Sequence, residues 1–182
     1  MKLRRVKLKW VLSIMLVMST LAFQDPPKLK DSDTTSIIKA AYIYNFAKLI
    51  DWPSENKTGN FIIGVYGNST VYQELIKKYS SKRIGTQDIE IKKLSESPQV
   101  GNVHVLFIAQ SNINDLDAIL DNIGVDPVLV ITESPGTLKL GSVINFLISN
   151  NNLKFELSLK EASNRQLIVG SRLKDLAFKV EG

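Results

Sequence analysis

The chain has 182 residues, enough for one domain of ordinary size, and with 44% hydrophobic and 23% charged residues its composition is that of a folded globular protein. It contains no Cys, which excludes disulfide frameworks, thiol nucleophiles, Cys-ligated zinc, iron–sulfur clusters and a lipidated bacterial N-terminus. The formal charge of +5 equals the five basic residues Lys2, Arg4, Arg5, Lys7 and Lys9, so the remainder is neutral and lacks the long-range field that nucleic-acid binding requires.

Those basic residues precede fourteen mostly apolar ones, Trp10 to Phe23, and then a polar stretch with Pro26 and Pro27. This is the three-part plan of a secretory signal. At about 1.5 Å per residue the apolar run reaches roughly 21 Å, short of a bilayer core of about 30 Å, so a cleaved signal is a better reading than a span. Thr20 and Ala22 supply the small residues of a cleavage site. The chain thus divides into a signal peptide (1–22), a flexible tether (23–34) and one α/β domain (35–182).

From Thr34 to Ile50 good helix formers predict a helix that stops at Asp51, Trp52 and Pro53, where proline disfavours continuation. Its apolar side chains go nearly all the way round, so it needs cover on both sides, either from the core alone or from the core and a partner. Phe61 to Gly67 predicts a strand, and Asn68, Ser69 and Thr70 offer caps for a helix through Ser80. Ile89 to Leu94, His104 to Ala109 and Pro127 to Thr132 predict further strands, the last two apolar enough to be buried on both faces of a parallel sheet. Between them Leu116, Ile119, Leu120 and Ile123 mark an amphipathic helix that Gly124 ends. Val143 to Ile148 and Leu153 to Leu157 flank an Asn-rich turn and predict a hairpin, and short helices follow near Leu159 to Asn164 and Ser171 to Ala177. The fold class expected is α/β: a single-domain open sheet, mainly parallel, with helices on both faces and a C-terminal antiparallel β-hairpin at one edge.

The run Lys39 to Pro53, KAAYIYNFAKLIDWP, closely resembles the N-terminal signature of the YfiR family of bacterial periplasmic regulators. Further matches follow in order: Phe61 to Gly67, His104 to Ile108 and Pro127 to Thr132 as strands, Gly141 to Phe146 (GSVINF), Phe155 to Leu159 (FELSL) and Ser171 to Ala177. The resemblance covers about residues 35 to 180. It implies an exported, often homodimeric regulator that binds the periplasmic sensor region of a membrane-bound diguanylate cyclase and holds it inactive, so that release raises cyclic di-GMP and favours biofilm. Other members accompany histidine kinases, which makes a small-ligand-binding component of a kinase sensory system the alternative. Several members respond to redox state through cysteines, and this chain has none. Ser142 and Val143 replace the usual Gly and Met, and Ser158 stands where Asn is common. The resemblance marks Asn45, Pro53, Gly141, Asn145 and Phe146 as structural motif positions.

Little in the residues points to catalysis. His104, the one histidine, opens an apolar strand without a second metal donor and reads as structural, and no phosphate-loop glycine pattern follows Gly64 and Gly67. Asp115, Asp117 and Asp121 read as a solvated helix face. The expectation is a non-enzymatic protein with no cofactor or metal. Three groups are candidates for binding. Tyr42, Tyr44, Phe46 and Trp52, with the charged hairpin pair Lys154 and Glu156, suit a partner or dimer interface, because aromatic side chains bury large areas at modest entropic cost. Asn68, Ser69, Thr70, Glu133 and Ser134 lie after strands, where α/β folds place small ligands. Asn45, a lone amide on an apolar helix, is expected to find a hydrogen-bonding partner.

Overall fold

The computed structural model describes residues 31–67, 69–95, 100 and 102–182; the expected signal peptide and most of the expected tether lie outside them. The first helix, α1 (Asp31–Leu49), begins three residues earlier than the sequence predicts and takes in the end of the expected tether. It runs into β1 (Ile50–Asp51), and Pro53 then opens a 3₁₀ turn over Ser54–Lys57. After β2 (Phe61–Tyr66), the Ser69 hydroxyl caps α2 (Thr70–Tyr79) by accepting from the Val71 N–H at 3.2 Å. A tight turn through Gly85 joins β3 (Arg83–Ile84) to β4 (Gln87–Leu94). Next come β5 (Val105–Ile108), a 3₁₀ stretch over Gln110–Asp115, α3 (Leu116–Ile123) and β6 (Leu129–Thr132). Gly124, at φ 51°, ends α3 as the sequence predicts. A 3₁₀ turn over Thr137–Leu140 leads to β7 (Ile144–Ser149) and β8 (Asn152–Ser158). Last are α4 (Leu159–Asn164), β9 (Ile168–Val169), α5 (Ser171–Leu176) and β10 (Lys179–Glu181).

Eight strands form one sheet in the order β10-β8-β7-β6-β5-β2-β4-β3. Pairing is parallel from β4 through β2, β5 and β6 to β7, and antiparallel in the β7–β8 hairpin and the β3–β4 turn. The hairpin turn narrows to Asn150 and Asn151, both at positive φ, with Ser149 opposite Asn152. One expectation changes here: β8 is not the sheet edge, because β10 adds to it in parallel. Lys-Val-Glu carries no apolar run, so this edge strand has no sequence signal.

Both faces of the sheet carry helices. On one, α1, α2, α4 and α5 cover Ile63, Val65, Val105, Phe107, Leu129 and Ile131. On the other, Leu116, Ile119 and Ile123 of α3 pack on Tyr66, Leu106, Ile108, Val128 and Val130. The alternation that splits each strand between two cores explains why β5 and β6 read as continuous apolar runs. Although α1 is apolar nearly all round, only one side is buried, through Ala40, Ile43, Phe46 and Ala47; Ile38, Asn45 and Lys48 face outward. Burial of the whole helix by its own domain is therefore ruled out. Among the described residues no helix is long and apolar enough to cross a membrane.

Candidate functional site

The chain leaves β2 for β4 on one side and returns to β5 on the other, which makes the carboxyl ends of β2 and β5 a topological switch point. Open α/β sheets bind ligands in the crevice such a reversal creates. Here the crevice is a cavity of about 440 Å³, walled by Ser69 and Thr70 at the start of α2, Gln110 and Ser111 after β5, Glu133 after β6, and Ser36 and Lys39 of α1. Gly67 makes the turn at φ 93°, and a Cβ there would strike the Asn112 side chain. Across the cavity wall the Lys39 ammonium pairs with Glu133 Oε2, while Glu133 Oε1 accepts from the Gln110 N–H at 2.9 Å. The Ser36 and Thr70 hydroxyls are hydrogen-bonded to each other, joining α1 to α2.

Of the residues expected to bind a small ligand, Ser69, Thr70 and Glu133 do come together. Asn68 lies outside the described residues. Ser134 does not line the crevice; its N–H donates to Asn145 Oδ1 at 3.0 Å inside a neighbouring buried network. Lys39, Ser36, Gln110 and Ser111 were missed, since no local pattern tells that α1 crosses this end of the sheet. The one available signal was loop position after a predicted strand, which applied to Gln110 and Ser111 as well as to Glu133.

That buried network explains the GSVINF motif. Asn145, 1% exposed, accepts from the Thr132 hydroxyl at 3.0 Å as well as from Ser134, and donates through Nδ2 to Glu156 Oε1 at 3.0 Å. Thr132 also meets the Thr137 and Ser142 hydroxyls, and Thr137 donates to the Ser134 carbonyl. Ser142, fully buried, is accommodated by these partners. Gly141 sits at φ 116° with Leu120 3.0 Å from where a Cβ would be, so both backbone and space call for glycine.

The aromatic residues of the first motif divide by role. Phe46 and Trp52 are 1% and 5% exposed and are not available to a partner, which corrects their place among the interface candidates. Phe46, Phe146, Phe155 and half-buried Tyr42 form one ring cluster with centroids 4.7–5.9 Å apart. Trp52 stands edge-on to Phe61 and donates its indole N–H to the Pro127 carbonyl at 2.9 Å, fastening the chain beyond α1 to the entry of β6. Tyr44 is half-buried, stacked on Tyr79 with Lys48 above its ring. Burial, reinforced by Tyr44, raises the Tyr79 phenol pKa. Asn45 is exposed rather than bonded inward, and the expected internal partner of its amide is not found among the described residues. On the hairpin, Lys154 is exposed and Glu156 half-buried, on the face they share with Leu147, Lys179 and Glu181.

At the opposite, amino end of the parallel strands lies a larger hollow of about 590 Å³ beside His104. The His104 ring stacks on Phe61 at 4.5 Å; Nδ1 accepts from the Ile62 N–H at 3.0 Å and Nε2 bonds the Asn56 carbonyl at 2.8 Å. These partners require the neutral ring with its proton on Nε2. Burial lowers its pKa, opposed by the Asn56 carbonyl. Asp115 departs from the expected solvated acids in accepting from the Tyr66 hydroxyl at 3.0 Å; Asp117 and Asp121 are exposed.

A family model described as YfiR/HmsC-like matches residues 36–178, well over half of the chain. No curated protein matches it.

Proposed function

The chain belongs to the YfiR/HmsC-like family, and on that premise we propose that it is an exported periplasmic regulator that docks on the periplasmic sensor region of an inner-membrane diguanylate cyclase and holds it inactive. The observation that carries this reading is the family match over residues 36–178, which spans nearly the whole domain from α1 to the start of β10. The basic, then apolar leader supports export. Two surfaces support docking: the outward strip of α1 with Ile38, Asn45 and Lys48, and the hairpin face with Lys154 and Glu156. In a homodimer one of the two is covered by the second copy and the other is left to the cyclase.

Inhibition by docking is a population shift. The regulator must bind the inactive conformation more tightly, and a hundredfold preference corresponds to about 2.7 kcal/mol. The test is cellular cyclic di-GMP in the source organism. Deleting the gene raises it, the full chain restores it, and a version without residues 1–22 does not. Lys154→Glu restores it less well while accumulating normally. Unchanged cyclic di-GMP on deletion would refute the reading. The alternative, a small-ligand component of a histidine-kinase system, draws support from the switch-point cavity and predicts altered kinase output instead.

A further inference from the structure

We infer that the switch-point cavity is a binding site for a small hydroxylated monocarboxylate, with Lys39 holding the carboxylate and the surrounding hydroxyls and amide holding its hydroxyl groups. The inference needs no membrane partner and stands or falls apart from the docking proposal.

Donor and acceptor capacity decides the ligand's charge. Each oxygen of Glu133 accepts one hydrogen bond here, one from the Gln110 N–H and the other from Lys39. Lys39 has three N–H groups, and Glu133 is the one acceptor it meets among the described residues. The Ser69 oxygen accepts from Val71, which leaves its O–H to donate. Lys39, with N–H groups beyond the one it gives Glu133, is the charged donor of the cavity and suits an oxyanion. The side chains of Lys39 and Glu133 are 17% and 14% exposed, so the charges act on a ligand with little screening. Their sum is zero, however, and the Glu133 carboxylate beside the ammonium repels a second negative charge. That repulsion weakens the pull of Lys39 on any anion; a monoanion still gains a charged hydrogen bond at modest desolvation cost, whereas the desolvation cost of a phosphate dianion grows with the square of its charge and a single paired cation does not offset it.

The rest of the lining decides the ligand's body. Apart from Val71 and Ala109, the cavity is walled by Thr35, Ser36, Ser69, Thr70, Gln110 and Ser111, groups that exchange hydrogen bonds with hydroxyls and offer little to an apolar chain. At about 440 Å³ it falls in the size range of small-molecule sites, about 300–1,000 Å³. Its walls come from α1, the start of α2 and the loops after β5 and β6, which meet only in the folded domain, with α1 contributing the cation.

The experiment is calorimetric titration of the purified protein with D-gluconate, D-glucose and inorganic phosphate. Gluconate binds saturably, glucose binds at least tenfold more weakly, and phosphate does not compete. Lys39→Met, which keeps the aliphatic stem, weakens gluconate about tenfold or more, in line with loss of a charged hydrogen bond. Glu133→Gln keeps an oxygen for the Gln110 N–H and removes the repulsive charge, so gluconate binds more tightly and phosphate begins to bind. Far-ultraviolet circular dichroism confirms that each variant is folded. The assignment is overturned if gluconate, glycerate and lactate all fail to bind the wild type at 10 mM, if glucose or phosphate binds as well as gluconate, or if Glu133→Gln leaves both affinities unchanged in a folded protein.

Discussion

Replacing Asn145 by Ala tests whether the buried network after β6 holds the two parts of the sheet together. The substitution removes two bonds accepted by Oδ1, from the Thr132 hydroxyl and the Ser134 N–H, and one donated to Glu156. Thr132 retains Thr137 and Ser142 as neighbours, and half-buried Glu156 regains water, so neither is left orphaned. The Ser134 N–H has no such recourse, and an unsatisfied buried donor costs about 1–3 kcal/mol. Adding the lost bonds and a small cavity gives roughly 3 kcal/mol. For a domain of this size that lowers the melting temperature by about 6–12 °C. Urea unfolding followed by circular dichroism measures the free energy, and differential scanning calorimetry the temperature. Asn145→Asp keeps the acceptor oxygens but sets a carboxylate against Glu156, and the double variant with Glu156→Gln recovers part of its loss. A cost for Asn145→Ala below about 1 kcal/mol, or no recovery in the double variant, would show that the network is incidental.

Three further outcomes follow from the same geometry. His104 has a folded-state pKa below the ordinary value of about 6.5, so the unfolded chain takes up the extra proton first; stability is full above about pH 7 and falls as pH drops through and below 6.5. His104→Gln is less stable at pH 7.5 yet loses little more down to pH 5.5, and parallel curves for the two proteins would contradict the assigned neutral ring. In Gly170→Ala the new Cβ lies 2.8 Å from the Leu49 carbonyl oxygen, which forces the β1–β9 pairing apart and costs about 1–3 kcal/mol by chemical denaturation; a neutral result would mean that this junction yields freely. Lys154→Glu changes an exposed side chain and shifts stability by no more than about 0.5 kcal/mol, so a loss of repression with that variant reports on docking and not on folding.

What local sequence determined was the longer elements, while the short strands β1, β3, β9 and β10 had no local signal. Continuous apolar runs marked β5 and β6, Ser69 and Gly124 marked helix ends, and the Asn-rich turn placed the hairpin, because each depends on neighbours a few residues away. The motif Lys39 to Pro53 likewise pointed to the family. Side-chain direction was another matter. Nothing along α1 tells that Lys39 turns toward Glu133, ninety-four residues on, while Asn45 turns to water, since both follow from how the helix lies across the sheet. Phe46 and Trp52 looked as available as Tyr44 until the ring cluster and the Pro127 carbonyl claimed them. The sheet edge went unseen because β10 is made by pairing with β8 rather than by any apolar pattern of its own. The switch-point cavity is a product of strand order: α1, the start of α2 and the loops after β5 and β6 each supply a wall, and only their long-range packing brings one cation, one carboxylate and a set of hydroxyls around the same space.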